Sequence, residues 1–198
     1  RAILGEGRLQ RRDLVRLAVI AGGGGEIGGA IARRYCAEGA SVLVCDISQE
    51  KADLVAGEIV AAGGKAVGLK VDVSSEEDCS AAGRFAVQTF GKITDLVNAS
   101  ATLSPDGNVE NLSVAAWRNA LDVNFTGVFL MCKYVLGHIR AAGGGSVVNI
   151  ASSHGHFGLP GRSAYCSTKA ALMHFTRVLA IDYGPHNIRA NTISPGPI

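Results

Sequence analysis

Apolar positions in this chain fall into short runs, separated by longer stretches in which they recur every three to four residues. The short runs predict strands at Leu17–Ala21, Ser41–Asp46, Ala66–Val71, Asp95–Asn98, Ser146–Ala151 and Arg189–Ile193. The periodic stretches predict helices at Ile27–Glu38, Gln49–Ala62, Ser75–Phe90, Val114–Ala142 and Ser163–Tyr183. Runs such as Val147-Val148-Asn149-Ile150 do not alternate cleanly, as expected of a sheet covered on both faces. Ser48, Ser74 or Ser75, and Ser113 stand where helix N-caps belong. Gly39, Gly63, Gly91, Gly143 and Gly184 mark the helix ends. Strands alternating with helices over short connections predict an α/β chain with one doubly wound parallel β-sheet and helices on both faces.

Composition narrows the class without changing this outline. A chain of 198 residues buries one good core. Its 26 glycines follow no fixed period, which excludes collagen. A net charge of +2 argues against nucleic acid and anionic membranes as partners. No apolar run is expected to approach a membrane span. Cys36, Cys45, Cys79, Cys132 and Cys166 are scattered and lack a C-x-x-C spacing, which predicts packed thiols in a reducing cytoplasm. Residues 1–15 read as an N-terminal extension with no signal-peptide pattern, and residues 16–198 as one domain.

Candidate chemistry sits in two places. Tyr165 and Lys169 are at i and i+4 of a predicted helix and so share a face. A Lys ammonium beside a phenol favours the phenolate, which suits proton transfer on an alcohol or carbonyl. Ser152, at a strand end, can hydrogen-bond the same substrate oxygen. The second place is Ala21-Gly22-Gly23-Gly24-Gly25-Glu26-Ile27-Gly28, between the first strand and the first helix. Gly23-x-Gly25-x-x-Gly28 satisfies the dinucleotide fingerprint, in which backbone N–H groups approach a pyrophosphate at a helix start. Asp46 ends the second strand, where a carboxylate accepts from ribose hydroxyls and repels a 2′-phosphate; its alternative is a turn cap. No Arg or Lys stands in the glycine loop or at Cys45, Ile47 or Ser48, so NAD is favoured over NADP. Asp72 either accepts from an adenine amino group or is an ordinary turn residue.

With these residues in order, and with Asn98-Ala99, Asn124, Asn191 and Pro195-Gly196 among them, the chain resembles the short-chain dehydrogenase/reductase family from Arg16 to Ile198. The resemblance implies a Rossmann-type fold and a catalytic tetrad of Asn124, Ser152, Tyr165 and Lys169. Tyr165 would be the general acid/base. Lys169 would favour its phenolate and hold the nicotinamide ribose, and Ser152 would polarise the substrate oxygen. Asn124 would hold a proton-relaying water. Cofactor contacts would come from Gly22, Gly25, Glu26, Ile27, Gly28, Asp46, Ile47, Asp72, Val73, Asn98, Ala99 and Ser100, with Tyr165, Lys169, Pro195, Gly196 and Ile198 around the nicotinamide end. Three departures stand out. Ala21 and Glu26 replace the family's loop Thr and middle Gly; the Asn-Asn-Ala-Gly segment reads Val97-Asn98-Ala99-Ser100; and the sequence stops at Ile198, where family members usually continue through a substrate-covering helical segment and one more strand.

The leading expectation is an NAD-dependent oxidoreductase acting on a secondary alcohol or ketone. The alternative is a catalytically weak NAD-binding or scaffold protein, and a lyase or epimerase is a third reading. His154, His156 and Phe157 follow Ser152, and His154 is the candidate substrate contact; a hydroxylated or cyclic alcohol suits them, and a 3-oxoacyl thioester stays open. His138, His174 and His186 show no ligand spacing, so no metal is expected. Leu121, Phe125, Val128, Phe129, Leu172, Met173 and Phe175 suggest surplus apolar surface on two long helices, hence a homodimer or homotetramer.

Overall fold

The computed structural model describes residues 16–103 and 105–196. The extension at 1–15 and Ile198 lie outside them. The sheet has six parallel strands: β1 (Leu17–Ala21), β2 (Ser41–Asp46), β3 (Ala66–Lys70), β4 (Asp95–Asn98), β5 (Gly145–Ile150) and β6 (Ile188–Ile193), in the spatial order β3-β2-β1-β4-β5-β6. The helices are α1 (Glu26–Ala37), α2 (Gln49–Ala61), α3 (Glu76–Phe90), α4 (Val114–Leu121), α5 (Gly127–Ala141) and α6 (Ser163–Tyr183). This is the Rossmann-type doubly wound sheet, and its order reverses between β1 and β4.

The non-alternating strands are explained by two cores, one on each face. Leu17, Val19 and Ala21 of β1 join the cluster under α3, α5 and α6, while Ala18 and Ile20 join the one under α1 and α2. Every β1 side chain is therefore buried. Arg16 secures the amino end of β1, donating from Nε (3.1 Å) and Nη2 (2.6 Å) to the buried Asp95 of β4.

Three helix starts follow the predicted caps. Ser48, Ser75 and Ser113 accept from the N–H groups of Lys51, Asp78 and Ala116. Gly39, Gly63, Gly91 and Gly143 take the left-handed backbone after their helices, but Gly184 does not. There the chain makes a 3₁₀ turn (Gly184–His186), and Asn187, at φ 58°, is the left-handed residue.

The expected single helix 114–142 is interrupted by a π-helical turn at Asp122–Thr126. Val114–Ala141 is, by length and composition, long and apolar enough to cross a membrane, which corrects the expectation from the sequence; half of its most apolar window is buried against the rest of the fold. The expected surplus apolar face also needs correction. Val128 and Leu172 belong to the core, and Phe125 packs edge-to-face on Phe175 at 5.9 Å. Phe129, Val178 and Ile181 are exposed large apolar residues on α5 and α6. Burial pushes the thiols of Cys79 and Cys132 up to about 12.

Candidate active site

At the carboxyl ends of β1 to β4, beside the strand-order reversal, lies a cavity of about 210 Å³. It brings together Gly22, Gly25, Asp46, Ile47, Asp72, Val73, Ala99 and Ser100 of the predicted set, with Val71, Ala101 and Val123 in addition. A larger cleft of 380 Å³, lined by Arg16, Lys92, Asp95 and Arg189, opens at the opposite end. The smaller cavity is the candidate site, because open parallel sheets bind ligands outside the carboxyl ends of their strands, at the reversal.

The glycines are dictated by close approach. A Cβ on Gly28 would lie 2.1 Å from the Gly22 oxygen, and one on Gly22 would lie 2.5 Å from the Ser100 nitrogen. A Cβ on Gly25 would meet nothing nearer than 3.5 Å, so this residue leaves room at the start of α1. Gly25 is also the N-cap of α1 and supplies no side-chain cap, which leaves that helix start suited to an anion. Asp46 is fixed at the cavity rim, its Oδ2 accepting from Gly24 N (3.0 Å) and its Oδ1 from Ser48 N (3.1 Å). The turn-cap reading of Asp46 thus describes bonds it makes, and the residue also lines the cavity. Asp72 accepts from the Ser74 N–H and hydroxyl, and is likewise a lining residue. Glu26 is exposed and lies outside the lining, as do Ile27 and Gly28. These features fit a dinucleotide: a side-chain-free helix start for its phosphates and a carboxylate for its ribose.

The second cluster forms where β5 and β6 meet α6. Lys169 is buried and donates from Nζ to the Ile150 carbonyl at 2.8 Å. Burial pulls its pKa down to about 8. Its Nζ also lies 5.7 Å from the centre of the Tyr165 ring. Ser152 follows β5, buried, its hydroxyl accepting from His154 N at 3.2 Å. Pairing with β6 continues beyond the strands, since Ser153 N donates to the Pro195 oxygen at 2.9 Å, and this holds Pro195-Gly196 beside Ser152. His154 packs edge-to-face on Phe157, whereas the exposed His156 lies 3.3 Å from the Ser194 hydroxyl.

Asn124 is fully buried in the π-helical turn. Its amide oxygen accepts from Thr102 N (2.7 Å), and its amide nitrogen donates to Thr102 O (3.0 Å) and Thr168 Oγ1 (3.4 Å). The side chain thus clamps the loop after β4. Asn98 is buried and is not one of the cavity-lining residues. It donates to Asn149 Oδ1 at 2.8 Å, Asn149 donates to Thr176 Oγ1 at 2.8 Å, and the buried Asn98 Oδ1 finds no partner among the described residues.

Sequence reasoning missed Asn149, Thr168 and Asp106. The first two carry no local motif. Asp106 reaches α6 from 58 and 59 positions away, a distance that periodicity cannot bridge. Among the described residues, no group of three or more His, Cys, Asp or Glu side chains converges as a metal site would.

The short chain dehydrogenase family matches residues 16–198. The chain is 39% identical over 183 residues to cyclohexanol dehydrogenase of Acinetobacter sp. (strain SE19), covering 92% of this chain and 73% of that protein. It is 36% identical over 181 residues to a 2,5-dichloro-2,5-cyclohexadiene-1,4-diol dehydrogenase of Sphingobium indicum, covering 91% and 72%. Among solved structures it superposes on 7α-hydroxysteroid dehydrogenase complexed with NADH and 7-oxo glycochenodeoxycholic acid with a TM-score of 0.88, at 35% identity over 91% of this chain and 70% of that one. With the sheet order, the glycine-lined cavity and the buried Lys169 beside Tyr165 in place, the chain belongs to the short-chain dehydrogenase family of oxidoreductases.

Proposed function

We propose that the protein is an NAD(H)-dependent dehydrogenase interconverting a secondary alicyclic alcohol and its ketone. The single observation that carries this reading is the buried Lys169, hydrogen-bonded to the end of β5 and 5.7 Å from the Tyr165 ring, with Ser152 just beyond the same strand. Gly22, Gly25 and the start of α1 would hold the phosphates, Asp46 and Ile47 the adenosine ribose, and Lys169 with Pro195-Gly196 the nicotinamide end. When bound, the nicotinamide accepts or returns the hydride at the alcohol carbon.

The chain's own residues handle the proton and the orientation. In oxidation, Tyr165 as phenolate takes the hydroxyl proton; in reduction, it returns that proton to the ketone oxygen. Ser152 donates to that oxygen and fixes its position. The Lys169 cation stabilises the phenolate across the shared face of α6. Asp46 supports NAD over NADP, because its carboxylate is held at the cavity rim where a 2′-phosphate would sit. The relatives named for cyclohexanol and cyclohexadienediol, together with the exposed Phe157 next to His154, support an alicyclic substrate. Residues 16–198 are read as one catalytic domain in a cytoplasmic homodimer or homotetramer, supported by exposed Phe129, Val178 and Ile181 on α5 and α6.

The test is a screen of cyclohexanol, cyclic diols and hydroxysteroids with NAD and with NADP, followed at the reduced-nicotinamide absorbance. Faster turnover of alicyclic alcohols with NAD is the expected result. NADH binding without turnover across the panel would favour the second reading, a weak NAD-binding protein, which Glu26 and Ser100 motivate.

A further inference from the structure

The helix that carries Tyr165 and Lys169 does not cap itself. Its N-cap residue, Arg162, makes no side-chain cap bond. Its first three N–H groups are instead taken by one short segment of the loop after β4. Ser163 N donates to the Gly107 oxygen (3.1 Å), Ala164 N to Asp106 Oδ1 (3.1 Å) and Tyr165 N to Asp106 Oδ2 (2.9 Å). Arg162 adds a return contact, donating from Nη1 to the Leu103 oxygen at 3.2 Å.

We propose that Asp106 is a positioning residue for catalysis: one carboxylate caps the catalytic helix from outside and fixes the backbone at Tyr165. This rests on Tyr165 being the acid/base.

Two further observations support it. The same loop is tied twice upstream of Asp106. Ala99, Ser100 and Ala101 line the cofactor cavity, and the Thr102 main chain is clamped on both sides by the buried Asn124 amide. One stretch of backbone therefore connects the cavity, Asn124 and the start of the catalytic helix. In addition, the Asp106 carboxyl is held below the usual carboxylate range: partial burial works against this, and the N–H groups of Tyr165, Gly107 and Ala164, with Arg162 nearby, outweigh it. The carboxylate is thus charged at neutral pH and accepts at both oxygens. An Asn there keeps one acceptor and loses the other. An Ala loses both, leaving two helix-start donors to find water.

The test compares Asp106→Asn and Asp106→Ala in the full-length protein, with circular dichroism to confirm that both fold. Cyclohexanol with NAD is the turnover probe, NADH fluorescence reads cofactor binding, and amide hydrogen exchange reads Ala164 and Tyr165. Asp106→Ala should lower kcat about 10- to 100-fold, since misplacing a reacting group by about 1 Å can cost about 100-fold. KM for cyclohexanol and Kd for NADH should stay within about twofold, because both Asp106 oxygens are taken by backbone N–H groups of the loop and the helix start. Exchange at the two amides should speed up, and Asp106→Asn should restore part of both losses. Unchanged exchange in Asp106→Ala would overturn the cap whatever the turnover. Faster exchange with unchanged kcat would overturn its role in catalysis. A wild-type protein that binds NADH but turns over no alcohol would instead sink the dehydrogenase reading, and the exchange data would still decide whether Asp106 holds the helix start.

Discussion

Helices α2, α3 and α4 each begin on a serine whose hydroxyl accepts an N–H three residues on, whereas α1 and α6 begin on Gly25 and Arg162 with no such bond. The first group is complete within its own sequence. The second carries the candidate chemistry, and its starts are left to outside partners. For α6 the partner is Asp106. For α1 the proposed partner is the cofactor's pyrophosphate, accommodated because Gly25 leaves room where a side chain could have been. Helices α2, α3 and α4 are stabilised locally, while the two that carry the candidate chemistry lack a local cap and take their start from outside contacts.

The largest expected effect comes from the second turn of α6. Lys169→Met should lower turnover about 100- to 10,000-fold if Lys169 sustains the phenolate. The same change should stabilise the free protein at neutral pH. Lys169 falls from 10.5 to about 8 on burial. Between those values the unfolded chain holds a proton that the folded one lacks, so stability rises with pH across this window, and below it the cation is buried at a penalty. The penalty is on the order of 3 kcal/mol from the size of that shift. Thermal melts from pH 7 to 10.5 should show Lys169→Met above wild type at pH 7 and the gap closing as pH rises. A variant less stable than wild type at pH 7 would show that the bond to Ile150 outweighs the burial.

Next is the loop before α1. Gly28→Ala places a Cβ against the Gly22 oxygen and the Gly23 Cα, both backbone, and should destabilise by about 1–3 kcal/mol. NADH affinity, read by titration, should fall at least about tenfold as the loop is displaced. Gly57→Ala sharpens the contrast. It lies in the self-capped α2 with nothing near its Cβ position, and should stabilise by about 0.5–1 kcal/mol. Equal effects at the two glycines would remove the distinction between functional and peripheral helices.

Cofactor choice gives a smaller effect. Asp46→Ala with Ile47→Arg should move the NAD/NADP preference toward NADP by about tenfold or more, because a carboxylate is lost and a guanidinium is added at the exposed Ile47. An unchanged preference in steady-state kinetics would leave Asp46 as a turn residue only. Smallest is Glu26→Gly. Its side chain is exposed and outside the cavity, so NADH affinity should change by less than about twofold at low and high salt. Stability should fall by up to about 1 kcal/mol. A large, salt-dependent gain in affinity would place the carboxylate against the pyrophosphate.

Much of this was legible in the sequence because it is local. The strand and helix alternation predicts the parallel sheet, and the serines predict their caps one turn ahead. The glycine loop, Asp46 and the i, i+4 pair Tyr165–Lys169 are each readable within a single element or turn. What escaped depends on contacts made across the fold. The π-helical turn at 122–126 breaks a run whose apolar period gives no warning, and it serves a clamp on Thr102. Val128 and Leu172 looked like spare surface until the sheet placed them in the core. Asp106 sits in a polar loop of unremarkable composition and matters because folding delivers it to the start of α6.

The proposed mechanism requires that Tyr165 perform the proton transfer while the cofactor is held by other residues. The direct measurement is Tyr165→Phe, assayed in parallel for NADH binding by fluorescence and for cyclohexanol oxidation with NAD. The ring and its packing remain, and only the phenolic oxygen is lost. Binding within about twofold of wild type, with kcat reduced about 100- to 10,000-fold, is the predicted split. Near-normal turnover in Tyr165→Phe would contradict the assignment.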